Sequence, residues 1–284
     1  MKILTLNTHS LLEENYSKKL DWFIDGILRE KPDLIAMQEV NQSIDAPEID
    51  PSMLEGQFPV PGYIVIREDN HAAHVVAKLR SAGLNCSWIW LPIKRGYDIY
   101  DEGIAIISLG RTICDVDSFP VSRTNDYENW RTRKVLGVRL EGLDDWFYSV
   151  HMGWWNDPAE PFLHQWRVLN SCVASKRICD TVWLMGDFNA PTCFQGESYD
   201  TMKSGGWYDT YTLAEQKDDG ITVPGVIDGW HKRMAGKKMG LRLDQIWCSQ
   251  KRDIVSSQVI FNGIREEVVS DHFAVMIELK ERVK

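Results

Sequence analysis

The sequence lacks the features that mark membrane, secreted and zinc-binding proteins. No apolar run approaches the ~18 residues of a membrane-spanning helix, and no signal-peptide layout precedes the first strand pattern. None of the six cysteines forms a Cys-x-x-Cys pair, which favours reduced thiols in the core over zinc ligands or disulfides. We therefore expect a soluble, cytoplasmic protein with no membrane partner and no obligate protein partner.

Positive charge is also scarce. Lys and Arg number 32 against 41 for Asp and Glu, which gives a net charge of -9. Such a surface repels nucleic-acid phosphates on average, so we do not expect nucleic acid as a partner. One cationic cluster departs from this average and is either a solvated loop or an anion-binding rim: His231, Lys232, Arg233, Lys237, Lys238 and Arg242.

The chain shows no internal repeat, low-complexity segment or linker, so it is predicted to form one domain over residues 1–284. Helix periodicity predicts helices near 20–28, 72–79, 158–176 and 198–203. Strand patterns occupy 1–9, 33–40, 87–93, 103–108, 132–140, 146–151, 182–185, 241–248, 254–261 and 273–279. A strand-helix-strand start and a hairpin at 142–145 together require mixed sheets, while 41–70 and 209–240 are predicted as loops.

The stretch Val-Trp-Leu-Met-Gly-Asp-Phe-Asn-Ala at 182–190 organises the chain. Its apolar run predicts a buried strand, and Gly186 frees the backbone so that Asp187 and Asn189 emerge at the strand's end. A carboxylate that accepts a proton beside an amide that orients it suits activation of a water. An ordinary Asx turn after a strand is the alternative for this tripeptide alone.

Other polar residues recur at or inside strands that are otherwise devoted to the core. Asn7 ends the first strand, Glu39 the second and His151 the second strand of the hairpin. Asp244 lies in the middle of the strand 241–248, where a lone carboxylate needs a partner, and Asp271 with His272 enters the last strand. Each residue alone has a structural explanation, but so many placements favour an active site.

These motifs resemble the endonuclease/exonuclease/phosphatase superfamily. The resemblance runs from Leu-Asn-Thr at 6–8 through Gln-Glu at 38–39, His151, Gly-Asp-Phe-Asn at 186–189 and Asp244 to Ser-Asp-His at 270–272. It implies an α/β fold, specifically a four-layer α-β-β-α sandwich of two packed mixed β-sheets with flanking helices. It also implies a metal-dependent phosphoester hydrolase site at one rim.

The resemblance further implies a metal site. Glu39 would be the principal Mg²⁺ ligand with Asn7 and Asp271 nearby, and Mn²⁺ is an alternative ion. Position 9 is close to the metal in some relatives, but it is His9 here rather than a carboxylate, which leaves a second metal in doubt.

The catalytic roles follow from the same match. Asp187 would accept the proton of the attacking water, oriented by Asn189. His272, held by Asp244, would steady the charge that develops on phosphorus, and His151 would donate to a phosphate oxygen. Two further residues complete the match: Glu102 would orient His151, and Arg133 would face the substrate phosphate.

Within the superfamily the chain is most similar to bacterial maltose 6'-phosphate phosphatases, notably at GYDIYDEGIAI from 97 and HMGWWNDPAEPF from 151. The resemblance implies a sugar phosphate as substrate, with maltose and phosphate as products. Pyranose rings stack on indoles, so Trp154, Trp155 and Trp230 are candidate platforms, with core packing as the alternative for each. Tyr100 lies in a polar connection, 96–102, that could face a ligand.

Two other functions compete with this interpretation. A phosphodiesterase, either a nuclease of the deoxyribonuclease I type or a sphingomyelinase, would use the same chemistry. The cationic cluster favours a nuclease, whereas no apolar hairpin for lipid insertion is visible. A non-catalytic binding module would have lost catalytic residues, yet all the expected ones are present.

Overall fold

The computed structural model describes residues 1–59, 65–225, 230, 233 and 240–280, and two mixed β-sheets pack face to face within them. Helices cover the outer surface of each sheet, so the predicted four-layer α/β sandwich is confirmed. Every helix among the described residues is too short or too polar to span a bilayer.

Seven strands form the first sheet, in the spatial order β10-β12-β13-β1-β2-β4-β3. Their bounds are β1 Lys2–Asn7, β2 Leu34–Ser43, β3 Cys86–Gly96, β4 Tyr100–Leu109, β10 Gln216–Lys217, β12 Ile254–Ile260 and β13 Ala274–Leu279. β1 and β2 are parallel, as a strand-helix-strand unit requires, whereas β2 and β4 are antiparallel.

Six strands form the second sheet, in the order β5-β6-β7-β8-β11-β9. Their bounds are β5 Ile113–Pro120, β6 Lys134–Leu140, β7 Trp146–His151, β8 Val182–Asp187, β9 Tyr208–Asp209 and β11 Asp244–Cys248. The predicted hairpin is β6 and β7, which pair antiparallel, and β7 then runs parallel to β8.

Among the described residues, five α-helices connect the strands: α1 Tyr16–Glu30, α2 His71–Ser81, α3 Phe162–Cys179, α4 Ser198–Ser204 and α5 Thr210–Leu213. Leu20, Phe23, Ile24 and Ile27 form the buried face of α1, as the periodicity predicts. Short 3₁₀ turns occupy Ser10–Leu12 and Pro51–Leu54.

Three apolar layers hold the sandwich together. Side chains from both sheets, among them Ile106 and Phe147, fill the layer between the sheets. A second layer joins the seven-stranded sheet to α1 and α2, and a third joins the six-stranded sheet to α3. Because the central strands bury both faces, the polar residues near their ends stand out from an apolar background.

Several sequence predictions need correction. β5 was not predicted, because this edge strand has one largely exposed face and carries two Asp residues in an alternating pattern. β3 and β4 continue to Gly96 and from Tyr100, so the predicted polar connection shrinks to three residues. β11 begins at Asp244 rather than carrying it in mid-strand, since Leu241 forms only an isolated bridge.

The cysteine and cationic-cluster predictions are only partly met. All six cysteines are free, but only Cys86 and Cys248 are buried. Within the cationic cluster, His231, Lys232, Lys237 and Lys238 lie outside the described residues. Arg233 pairs with Glu197, and Arg242 is buried against Asp209.

Candidate active site

Strand register places one row of polar side chains across the six-stranded sheet. His151 at the end of β7 lies directly opposite Asp187 on β8, and Asp187 lies directly opposite Asp244 on β11. Arg133 immediately precedes β6 at the same end. We call His151, Asp187, Asp244 and Arg133 the acid-base row. Because pairing fixes the neighbours, the row follows from the register of these strands.

A second row crosses the seven-stranded sheet at the same end of the sandwich. Asn7 on β1 lies opposite Gln38 on β2, and Lys94 on β3 lies opposite Glu102 on β4. We call Asn7, Glu39, Glu102 and Lys94 the carboxylate-lysine row. A buried hydrogen bond of 2.9 Å from Gln38 Nε2 to Ser149 Oγ joins the two sheets beneath the rows.

Glu39 enters the cleft through an unusual backbone conformation. Its φ is 51°, in the left-handed region, where the β2–β4 register shifts between Met37 and Val40. Non-glycine residues rarely adopt this conformation, and such strain concentrates at functional sites. The Ser10 and Thr8 hydroxyls donate to the Glu39 carbonyl oxygen at 2.7 and 3.1 Å, which stabilises the bulge.

The two rows face each other across a cleft of about 600 Å³. Nine of the predicted site residues line it: Glu39, Glu102, Arg133, His151, Trp154, Asp187, Asn189, Asp271 and His272. Gly96 and Tyr97 of the predicted connection 96–102 line it as well, together with His9, Lys94 and Trp130. Seven distant segments of the chain therefore meet at one rim.

Asp187 and Asn189 adopt the Asx-turn geometry and also line the cleft, so the two interpretations of this tripeptide are compatible. The Asn189 backbone N–H donates to Asp187 Oδ1 at 2.8 Å. The Asn189 amide donates to the Met152 carbonyl at 3.0 Å and accepts from the Trp230 indole at 3.2 Å. Trp230 is buried, so this indole fixes Asn189 and is no sugar platform.

Two histidines approach the same oxygen of Asp187 but differ in charge. His272 Nε2 is 4.0 Å and His151 Nε2 is 3.7 Å from Asp187 Oδ2. Burial opposes a charged His272, but Asp244, 2.8 Å from its Nδ1, raises its pKa to about 10. Burial, with the charges of Arg133 and Lys94, holds the pKa of His151 well below its usual value. At neutral pH, His272 is an imidazolium and His151 a neutral imidazole.

The carboxylates of both rows are crowded. Burial and then the Asp244 carboxylate raise the pKa of Asp187 to about 7. Burial and the nearby Glu102 likewise raise the pKa of Glu39. Asn7 Nδ2 bridges them, donating to Glu39 Oε1 at 2.8 Å and to Asp187 Oδ2 at 3.3 Å. The ligand role predicted for Asn7 requires the opposite orientation of its amide.

Asp271 belongs to a group that the sequence did not predict. His9, Glu13 and Asp271 each offer a ligand atom, and these atoms lie within 4.8 Å of one another. His9 Nδ1 is 2.8 Å from Glu13 Oε1, which also accepts from the Asp271 backbone N–H. Asp187, Asp244 and His272 form a second such group. Both groups contribute residues to the lining of the cleft, where carboxylate oxygens could hold a cation.

Glu102 contacts a different partner from the one predicted. Its Oε1 is 3.0 Å from Lys94 Nζ, and both side chains are buried. No hydrogen bond between Glu102 and His151 is present among the described residues, so Glu102 does not orient that ring here. Arg133 is buried in the cleft wall, as predicted, and its Nη1 donates to the carbonyls of Trp130 and Thr132.

Of the aromatic residues predicted to contact the substrate, only some line the cleft. Trp154 lines the cleft, and its ring lies 5.7 Å from that of Trp130, which is 45% exposed. Trp155 instead packs against Phe162 in the layer under α3, and Tyr100 does not line the cleft. Tyr97, three residues before Tyr100, lines it. An apolar rim thus borders the charged floor.

Lys94 is the most informative of the cleft residues that the sequence analysis missed. A lysine within the mostly apolar strand Cys86–Gly96 was a usable signal, because an unpaired buried ammonium is costly. Trp130 gave no such signal, since it lies in an irregular segment where periodicity carries no information.

Comparison with known proteins gives one family and several similar structures. The model of the Endonuclease/Exonuclease/phosphatase family matches residues 4–272. A search of curated proteins found no match. Among solved structures, an endonuclease/exonuclease/phosphatase family protein from Leptotrichia buccalis C-1013-b is 32% identical, with a TM-score of 0.84 over 99% of this chain and 100% of that one.

Two more distant structures share the fold alone. A mannosyl-6-phosphatase from Bacteroides thetaiotaomicron VPI-5482 is 17% identical, with a TM-score of 0.68 over 99% of this chain and 100% of that one. A 3'-5' exonuclease from Neisseria meningitidis is 19% identical, with a TM-score of 0.61 over the same shares. Proteins of similar fold thus include both a phosphatase and an exonuclease.

Proposed function

Because the chain belongs to the endonuclease/exonuclease/phosphatase family, we propose that it is a divalent-metal-dependent phosphomonoesterase acting on a sugar phosphate. Maltose 6'-phosphate is the proposed substrate, and maltose and phosphate are the products. The observation that carries the proposal is the pairing, in one cleft, of crowded carboxylates with the buried guanidinium of Arg133. This combination binds a cation and a phosphate side by side.

The donor set fits Mg²⁺, with Mn²⁺ as a substitute. Glu39, Asp187 and Asp271 offer carboxylate oxygens, and burial together with a neighbouring carboxylate raises the pKa of the first two. Hard oxygen donors with unrelieved mutual repulsion are typical of a divalent-cation site. Glu39 and Asp271 would hold the ion, with Asn7 nearby. When bound, it supplies charge neutralisation at the phosphoryl oxygens.

Asp187 is the proposed general base. A pKa of about 7 leaves a substantial fraction of the carboxylate ionised at neutral pH and still basic enough to take a proton from water. The Asn189 backbone N–H occupies Oδ1, so Oδ2 is the oxygen that faces the cleft and both histidines. The water's proton would therefore pass to Oδ2.

The histidines complement this base. His272 carries a positive charge that Asp244 maintains, and we assign it to stabilise the negative charge on the transferring phosphoryl group. His151 is neutral and can donate one N–H to a phosphate oxygen without repelling Arg133 or Lys94. Both roles require positioning rather than a covalent intermediate, as phosphoryl transfer allows.

The sugar part of the proposal rests on the rim. Trp154 and Trp130 form an aromatic corner beside the charged floor, and Tyr97 adds a third ring. Aromatic faces with nearby polar groups bind the apolar faces and hydroxyls of pyranoses. The cleft of about 600 Å³ also has the volume of a small-molecule site.

A phosphodiesterase or nuclease is the competing function within the same family. Its strongest sequence argument was the cationic cluster, yet the two described members are each neutralised. Arg233 Nη2 lies 2.7 Å from Glu197 Oε1, and Arg242 Nη2 lies 2.6 Å from Asp209 Oδ2. Neither offers a free charge to a DNA backbone.

A phosphate-release screen tests the proposal. Maltose 6'-phosphate, glucose 6-phosphate and supercoiled plasmid would be incubated side by side with Mg²⁺ and with excess chelator. We expect metal-dependent phosphate release from a sugar monoester and no nicking of plasmid. Nicking of plasmid without phosphate release would refute the phosphatase proposal and support the nuclease function.

A further inference from the structure

We propose that Lys94 is a second phosphate-binding cation that, together with Arg133, selects a terminal dianionic phosphate over a phosphodiester. This inference rests on the proposed function and names the substrate class of the same site. It assigns specificity to a residue that neither the sequence motifs nor the catalytic roles include.

Lys94 occupies a position that burial alone disfavours. The residue is 6% exposed, on a strand whose neighbours Ile93 and Leu91 belong to the layer between the sheets. Its side chain nevertheless lines the cleft, which it shares with Arg133 and His151 of the facing row. Placing a second cation beside a buried arginine raises the desolvation cost, so a merely structural role would be an expensive one.

Glu102 neutralises only part of the positive charge that Lys94 and Arg133 bring to the cleft. The carboxylate contacts Lys94 at 3.0 Å through Oε1 and is the nearest ion-pair partner. Burial and the charge of Arg133 lower the pKa of Lys94, whereas Glu102 raises it. Glu102 therefore favours the charged ammonium, and its negative charge acts on Arg133 as well. The other negative groups at this floor, Glu39 and Asp187, are committed to metal and base chemistry.

Arg133 has an unused edge. Nη1 donates to two backbone carbonyls, which fixes the guanidinium plane. Nε is buried and has no hydrogen-bond partner among the described residues, and the side chain is 4% exposed in the cleft wall. A buried N–H without a partner is costly unless a ligand satisfies it. An arginine edge that carries Nε can bind an oxyanion in bidentate geometry.

The charge of the ligand decides which phosphates fit. A terminal phosphate carries close to two negative charges at neutral pH, since its second pKa is about 6, whereas a diester carries one. Two buried cations match the dianion. A diester carries one negative charge, so it would leave the charge of Lys94 or Arg133 without a counter-charge. It would also bring a second organic substituent towards these two cations. Lys94 and Arg133 therefore favour monoesters over diesters for both electrostatic and steric reasons.

The test compares Lys94→Met with Lys94→Arg and with the nearby control Lys134→Met. Lys134 follows Arg133 in sequence but does not line the cleft. For each variant, kcat/KM would be measured for an aryl phosphate monoester and for the matching bis-aryl diester. The affinity for inorganic phosphate would be measured by calorimetry in Mg²⁺, with dimethyl phosphate as the monoanionic probe.

We expect Lys94→Met to lower kcat/KM for the monoester and the affinity for inorganic phosphate by on the order of 10- to 100-fold, the contribution of a charged hydrogen bond. The diester rate and dimethyl phosphate binding should change less than about threefold. Lys94→Arg should recover part of the loss, and Lys134→Met should match the wild type. If Lys94→Met does not fold, Lys94→Met with Glu102→Gln removes both charges, with Glu102→Gln alone as its reference.

Equal losses on monoester and diester, or unchanged binding of inorganic phosphate, would overturn the assignment. The two proposals fail separately. A wild-type protein that releases phosphate from no monoester refutes the proposed function. Phosphate affinity without turnover still decides the role of Lys94.

Discussion

The two sheets bring different chemistry to the same cleft. The six-stranded sheet supplies the acid-base row, in which Asp187 lies in register between His151 and Asp244. The seven-stranded sheet supplies the carboxylate-lysine row, which gathers charges of both signs. The Asp271–His272 segment leads into β13 of the seven-stranded sheet, yet His272 binds Asp244 of the other sheet. Acid-base chemistry and cation binding can thus be tested separately, by substitutions in the six-stranded sheet and in the seven-stranded sheet.

Removing the base of the acid-base row should have the largest effect. Asp187→Asn cannot accept the proton of water, so kcat should fall on the order of 10³-fold or more with little change in substrate binding. Asp180, before the opposite end of β8, offers the matched control, and Asp180→Asn should retain kcat. Near wild-type kcat in Asp187→Asn would exclude Asp187 from the mechanism.

A change in the carboxylate-lysine row should act through the metal instead. Glu39→Gln keeps the shape but removes one ligand charge, so the Mg²⁺ concentration for half-maximal activity should rise on the order of 10- to 100-fold. Glu13→Gln is the comparison, because Glu13 belongs to the neighbouring group with His9 and Asp271. If only Glu13→Gln shifts the metal titration, the ion belongs to that group.

Asp244→Asn should shift the pH profile as a whole. Wild-type kcat/KM should rise as Asp187 deprotonates near 7 and fall as His272 deprotonates near 10. Asp244 raises both pKa values, so its neutralisation should move both limbs of the profile to lower pH, with about a tenfold loss of kcat/KM at pH 8.

The same pair should make folding stability depend on pH. The stability that the charged His272 contributes is fully present below about pH 6.5 and is lost as pH rises through 10. Unfolding free energies of both proteins at pH 6 and pH 10 provide the check, and an unmoved profile would refute the coupling.

The aromatic rim should give the smallest effect. Trp154→Ala should raise KM for a disaccharide phosphate several-fold, about 1 kcal/mol of lost stacking, but leave KM for a small aryl phosphate nearly unchanged. Trp155→Ala is the control, since its ring packs against Phe162 and should affect stability rather than KM. Equal effects of Trp154→Ala on both substrates would show that the ring contributes to packing and not to sugar binding.

The sequence predicted most strands because apolar runs report burial directly, whereas the sandwich was implied by the family resemblance of its motifs. It also predicted which residues gather, since Asn7, Glu39, Asp187 and His272 each interrupt or follow such a run. It could not predict the Lys94–Glu102 contact, which depends on the register between β3 and β4. Register and loop conformation depend on tertiary pairing, so Trp155 and Trp130 were not distinguishable by composition.

The central claim is that a divalent cation binds at Glu39, where the two rows meet. Crystals grown with Mn²⁺ and measured at its absorption edge test this most directly. We expect an anomalous peak in the cleft within ligand distance of the Glu39 carboxylate, lost in Glu39→Gln. A peak bound elsewhere, or no peak at saturating Mn²⁺, would contradict the account.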